Sequence, residues 1–154
     1  MSRQLVSALR PPRAATVLIV ATLLSGCQTL LTGGITASTA PAELPAPAAA
    51  AVAGDLVPRL AEQIGPGQAT IVLAPDGSAF GTALETSLRT WGYAVTTDPD
   101  AKNGQAIRLA YIVTAMDGQV LARLSTASLD ISRIYTPTPA GASPASPLSV
   151  MRRG

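Results

Sequence analysis

Apolar residues fall at helical spacing in two stretches of the chain and at alternating spacing in several others. Leu56, Leu60 and Ile64 recur every four residues behind Asp55, a favoured N-cap, and Pro58 falls where a first turn tolerates it. A first helix is expected over 55–64, stopped by Gly65-Pro66-Gly67. The β-branched centre of Ala69–Leu73 predicts a strand. Pro75-Asp76-Gly77 marks a turn, and Ser78 caps a second helix running to Trp91. Its apolar stripe is Phe80, Leu84, Leu88 and Trp91, with Gly92 suited to end it in a left-handed conformation. Tyr93–Thr97 is the next strand, and DPDAKNG over 98–104 is a polar loop.

Beyond that loop the period becomes two. Ile107, Leu109, Tyr111, Val113 and Ala115 alternate with Arg108, Ala110, Ile112 and Thr114, which predicts a central strand apolar on both faces in its middle. Asp117-Gly118 is a two-residue hairpin turn, Gln119–Leu124 returns, and a last strand runs from Leu129 to Tyr135. The expected fold is α+β: a small two-layer domain over 55–136, two helices against a mixed or antiparallel sheet of about five strands, in the order α-β-α-β-β-β-β.

The flanks read differently. Residues 27–54 are poor in charge and rich in Ala, Pro, Ser and Thr, with Pro41, Pro45 and Pro47 favouring extended backbone. They are expected to form a tether reaching roughly 80 Å at about 3.1 Å per residue, with 48–53 as nascent helix leading into the domain. Residues 137–154 hold Pro137, Pro139, Pro144 and Pro147 and end in Met151-Arg152-Arg153-Gly154. They are expected to form an extended tail, either docked on a partner or its own domain or disordered.

The N-terminus carries chemistry. Arg3, Arg10 and Arg13 precede the uncharged run AATVLIVATLL over 14–24. Such a run spans only about 16 Å as a helix, against a hydrocarbon core near 30 Å, so it suits a signal-peptide core rather than a membrane span. Leu24-Ser25-Gly26-Cys27 follows at once and resembles a lipobox. That resemblance implies removal of residues 1–26, diacylglycerol in thioether linkage on Cys27, and acylation of the new amine. Gln28, rather than aspartate, implies export to the outer membrane, with the protein lipid-anchored and facing the periplasm. Several acyl chains hold far more tightly than one.

Composition narrows the rest. Hydrophobic residues make up 47% but aromatics 3%, much of the balance being alanine, so the core should be small. The net charge of +2 rests on the signal. Without Arg3, Arg10 and Arg13, eight basic residues face nine acidic ones, and the net charge becomes −1. A positive field for direct nucleic-acid binding is lost, and only Arg152-Arg153 are adjacent. There is no histidine, and Cys27 is the only cysteine. Intrachain disulfides and Cys/His zinc sites are therefore excluded, and the commonest bases and nucleophiles are missing.

A Ser–Lys pair would have to use Lys102, the only lysine, in a polar loop. Asp98 and Asp100 could serve a weak calcium site, though two carboxylates in a short loop are more often a solvated turn. Gly65 and Gly67 match no phosphate loop. Trp91 and Tyr93 mark either a binding surface or, more commonly, core. Arg123 and Arg133 make either a small basic patch or an ordinary exposed sheet face. No catalytic residue, cofactor, metal or small-molecule substrate is expected.

The blocks DLVPRLAEQIGPGQATI, DGSAFGTALETSLRTWGYAV, LAYIVTAMDGQVLARLST and PASPLSVMRRG, with the lipobox at Cys27, resemble the TrbH family of conjugal transfer lipoproteins from Trb-type type IV secretion systems. The resemblance implies a structural or assembly role on the outer-membrane side of the mating-pair-formation channel, with other channel subunits as partners. It supplies no catalytic residue, and only Cys27 carries over as a functional position. The alternative is an envelope lipoprotein with an unrelated binding role, pilotin-like or peptidoglycan-associated. The Cys27→Ser variant should remain uncleaved and take up no labelled fatty acid; processing of that variant at residue 27 would overturn the lipobox reading.

Overall fold

Alanine decides where the first helix begins. In the computed structural model, which describes residues 37–40, 42–101 and 106–154, helix α1 runs from Ala46 to Ile64. The expected signal peptide and the expected lipobox residues Leu24, Ser25, Gly26 and Cys27 lie outside the described residues. Ala48, Ala49, Val52, Ala53, Leu56, Val57, Leu60 and Ala61 are all buried. They form one continuous stripe at three- and four-residue spacing. The expected start at Asp55 is therefore corrected: residues 46–54, read as tether and nascent helix, are core helix.

Two sequence signals misled in the same way. Asp55 is not an N-cap, and Pro58 lies inside the helix. An interior proline removes the bond to the carbonyl four residues back, here that of Gly54, at a cost of about 3 kcal/mol. Alanine has the best helix propensity, and burying the stripe on both sides of Pro58 offsets that cost. The helix stops at Gly65, whose φ of 90° lies in the region glycine adopts freely.

Strand β1 (Thr70–Leu73), helix α2 (Ala79–Thr90) and strand β2 (Ala94–Thr96) follow. The Ser78 hydroxyl caps α2 as expected, accepting from the Gly81 amide at 3.0 Å. The helix ends one residue earlier than expected. Trp91 is its C-cap and is 45% exposed, so it does not complete the apolar stripe. Gly92 has φ 89°, and the turn it allows sends Tyr93 inward instead. At Gly67 a Cβ would stand 2.6 Å from the Trp91 carbonyl oxygen, so the close approach of these two loops requires glycine there.

The sheet is completed by β3 (Ala106–Met116), β4 (Gln119–Ser125), β5 (Leu129–Thr138), β6 (Gly141–Pro144) and β7 (Ser149–Arg152). Its order is β2-β1-β3-β4-β5-β6, with β7 also on β5. β1 runs parallel to β2 and β3, and the remaining pairs are antiparallel. The fold is α+β with a mixed sheet, as expected, and the first seven elements keep the expected order. The sheet has seven strands rather than about five because the proline-dotted tail supplies two. β6 covers the second half of β5 and β7 the first half. The tail is thus docked on its own domain from Gly141 to Arg152. The N-terminal side joins as well: the Thr39 amide donates to Tyr111 O at 2.9 Å and its carbonyl accepts from the Val113 amide at 3.1 Å.

Register fixes what each face carries. Ile71, Leu73, Leu109, Tyr111, Val113, Ala122, Leu124, Ile131 and Tyr135 share the face under the helices and are buried. Phe80 of α2 meets Tyr111 edge-on, with ring centroids 5.2 Å apart. The opposite, helix-free face carries Val72, Arg108, Ile112, Leu121, Arg123, Asp130 and Ile134.

Ala53 lies against α2, where the Ser87 hydroxyl reaches its carbonyl at 3.5 Å. Ala53→Leu should therefore overpack the α1–α2 contact and destabilise the domain by about 1–3 kcal/mol in urea unfolding. In a solvated tether the same change would be neutral.

Candidate functional site

Strand β5 gathers the polar chemistry of the domain on its two faces. Arg133 and Tyr135 are two residues apart and so point the same way, toward α1. Asp55, midway along that helix, meets both. Its Oδ2 accepts from an Arg133 guanidinium nitrogen at 3.0 Å and from the Tyr135 hydroxyl at 2.8 Å. Arg133 Nε also donates to the Ser146 carbonyl at 2.8 Å, tying the tail into the same cluster. Burial, then the Asp55 carboxylate, pushes the Tyr135 phenol far above its ordinary range, so it stays a neutral donor.

The other face of β5 holds Asp130, which is 6% exposed. Its carboxylate accepts from the Ser125 hydroxyl and from the Arg153 guanidinium. Burial pushes the Asp130 carboxyl up, but these hydrogen bonds outweigh it and hold the group below the usual carboxylate range. Arg153 also donates to Thr126 O at 3.1 Å, and its amide donates to Ser128 O at 2.9 Å. Arg152, next to it, turns to the helix side and donates to Gln63 Oε1 of α1 at 2.8 Å. The adjacent arginine pair is thus split between two faces and forms no single basic cluster.

The structure separates other residues that the sequence set side by side. Arg133 stands opposite Ala122 and Arg123 opposite Ser132, so Arg123 and Arg133 lie on opposite faces and form no patch. Trp91 is exposed, whereas the Tyr93 hydroxyl is turned inward and donates to Gly65 O. Asp98 and Asp100 are both exposed, and the Asp98 carboxylate accepts from the Asp100 amide at 2.9 Å, an ordinary turn contact. Among the described residues no three carboxylates gather as metal ligands. Lys102 lies outside the described residues.

One polar pair escaped the sequence reading. The Tyr111 hydroxyl donates to Asp76 Oδ1 at 2.6 Å and accepts from the Asp76 amide at 3.1 Å. Asp76 also accepts from the amides of Ser78 at 3.0 Å and Ala40 at 2.6 Å. It therefore joins the strand-to-helix turn, β3 and the N-terminal segment. Partial burial raises the carboxyl, but the hydrogen bonds prevail and bring its pKa down to about 2. The Tyr111 phenol is pushed up by burial and by the carboxylate it serves. A Cβ at Gly81 would stand 2.3 Å from that hydroxyl, so α2 can pass only as glycine there. The available signal was a tyrosine at the centre of an apolar strand, whose hydroxyl must find a partner when buried.

Such arrangements hold rather than react. The Asp76 and Asp130 carboxylates are kept ionised, the Tyr111 and Tyr135 phenols neutral, and Ser78 is committed to its cap. On the helix-free face a groove of about 500 Å³ opens between Val72, Ala110, Thr97 and Thr126, with Arg108 and Arg153 at its rim. Among the described residues its lining contains no nucleophile–base pair.

The family model for conjugal transfer protein TrbH matches residues 30–154. The chain belongs to the TrbH family. Among curated proteins it is 49% identical over 140 residues to the probable conjugal transfer protein TrbH of Sinorhizobium fredii (strain NBRC 101917 / NGR234), covering 88% of this chain and 94% of that protein. No solved structure matches it. Both descriptions place the family in conjugal transfer. The matched region begins well before Asp55 and runs to Gly154. It therefore includes both stretches that composition marks as tether and tail and that the fold incorporates as α1, β6 and β7.

Asp76 sets an acid limit. A carboxyl whose folded pKa is lowered contributes stability that is complete above its ordinary value of 3.8 and is lost as pH falls through about 2. In urea unfolding at stepped pH, Asp76→Asn should be less stable than the parent at neutral pH. It should also show a shallower loss between pH 3.8 and 2. Parallel profiles would show that the Asp76 contacts do not contribute.

Proposed function

We propose that this TrbH-family chain is an outer-membrane lipoprotein of a conjugative type IV secretion apparatus. It acts in assembly of the mating channel, with Cys27 as its acylated anchor and the α+β domain as its binding part. The observation that carries the reading is family membership together with a lipobox placed immediately ahead of the matched region, Cys27 against residue 30. The bonding pattern supports a scaffold: Asp55 and Tyr135 join α1 to β5, and Asp76 and Tyr111 join the turn before α2 to β3. No helix among the described residues is long and apolar enough to cross a membrane, which is consistent with attachment through lipid.

The fold also shortens the reach of the anchor. Thr39 is already paired to β3, so only about twelve residues separate it from Cys27, or roughly 40 Å of fully extended chain. A long tether would let the domain explore the periplasm. One this short keeps it beside the membrane and raises its effective concentration near a membrane-embedded partner. The acylated protein should co-purify with the outer-membrane subunits of the secretion channel, and a clean in-frame deletion should abolish DNA transfer to recipient cells. Wild-type transfer from the deletion strain would refute the assignment.

A further inference from the structure

Among the described residues the sheet has three outer edges, and two are closed to further pairing. β2 is three residues long, and Arg89 donates to its Val95 carbonyl at 3.2 Å. Along β6 the amide of Ala145 donates to Ile134 O, so the backbone groups of Ser143 and Gly141 face β5 and those of Ala142 and Pro144 face outward. Pro144 has no amide hydrogen to offer there.

β7 is different. Its register on β5 pairs Met151 with Asp130 and Arg152 with Leu129, and the Arg153 amide donates to Ser128 O. Antiparallel alternation then directs Met151 and Ser149 toward β5 and turns the backbone of Val150 and Arg152 outward. Each of these two residues offers one N–H and one C=O at an edge with no proline. The flanking side chains are apolar and exposed: Val150 at 42% on the helix side and Met151 at 54% on the helix-free side. β7 is itself fixed by Arg153 on Asp130 and by Arg152 on Gln63.

We propose that the outer edge of β7 is a strand-addition site that receives an extended segment of another protein, apolar where it meets Val150 and Met151 and acidic where it meets Arg152. Charge selects this occupant. Arg59, Arg89, Arg133 and Arg153 each have a carboxylate partner, whereas among the described residues Arg108, Arg123 and Arg152 have none, and of these three only Arg152, bonded to the neutral Gln63, stands on β7. A second copy of the chain would bring the same arginines against each other across a twofold axis, and like charges in neighbouring cross-strand positions repel. An acidic strand removes that conflict and supplies the missing partner. Main-chain bonds to Val150 and Arg152 give affinity, and the alternating side chains give selectivity.

The test uses the full-length acylated protein in donor cells, with a photo-crosslinking amino acid in place of Met151. The expected adduct maps by mass spectrometry to an extended segment of another protein with a carboxylate near the crosslinked residue. Val150→Pro removes an outward-facing amide and an exposed side chain while leaving the bonds of β7 to β5 in place, so the domain should unfold near the parent's urea midpoint while adduct yield falls about tenfold. Arg152→Glu gives up the bond to Gln63 but no backbone bond of the ladder, and should also lower the yield while β7 stays held by Arg153 on Asp130. Reversing the charge of the mapped acidic residue should restore it. An adduct unaffected by both variants, no adduct, or an adduct only with a second copy would each overturn the proposal. The deletion phenotype reads the secretion assignment separately, because crosslinking at β7 requires only that the protein be in its natural envelope.

Discussion

The Asp55 carboxylate lies part-way along a helix whose inner stripe is otherwise apolar, and it bonds to two side chains of β5. A charge there is tolerated only with partners, because an unpaired carboxylate at a half-buried contact forfeits hydration without compensation. Arg133 and Tyr135 supply those partners from one strand, and hydrogen bonds to a charged group are worth about 1.5–3 kcal/mol each. They fix the rotation and height of α1 over the sheet. The Ala48–Ala53 stripe then faces inward and Arg59 and Glu62 outward. The other contacts of α1, to α2 and to the tail through Gln63 and Arg152, follow from that placement.

Aspartates fasten the ends of the chain in the same manner. Asp76 holds the segment around Ala40 against the β1–α2 turn, and Asp130 holds Arg153 beneath the β4–β5 hairpin. A domain poor in aromatics buries little area per residue, so it gains from drawing its flanks into the fold. Alanine favours this at the N-terminal side, since a helix of small side chains can approach both the sheet and α2 closely. For the tail, the free edge of β5 supplies hydrogen-bonding groups, and the prolines fall at positions that do not interrupt the ladder.

This economy bears on function. Family membership gives a role in conjugal transfer, and Asp55, Asp76, Asp130, Arg133 and Arg153 are occupied in structural bonds. What is left for a partner is surface: the helix-free face with its groove, the exposed Trp91, and the edge of β7. Such edges and patches keep their shape because charged, hydrogen-bonded side chains support them.

The sequence by itself determined the class of fold, the order of its first seven elements, the Ser78 cap, the Asp117-Gly118 hairpin and the absence of histidine chemistry. These rest on periodicity, turn residues and residue inventory, which are local or additive. The resemblance of its longer blocks to TrbH was legible in the same way. Tertiary structure alone decided the rest. Ala46–Gly54 reads as linker because alanine is neutral in any pattern, and it becomes helix only when a sheet is present to bury it. Gly141–Arg152 reads as tail because a strand that borrows half its hydrogen bonds from a distant edge leaves no local trace. Arg123 and Arg133 appear as neighbours until a one-residue register puts them on opposite faces. Asp55 looked like the start of a helix, and the buried length on both sides of it made it the middle.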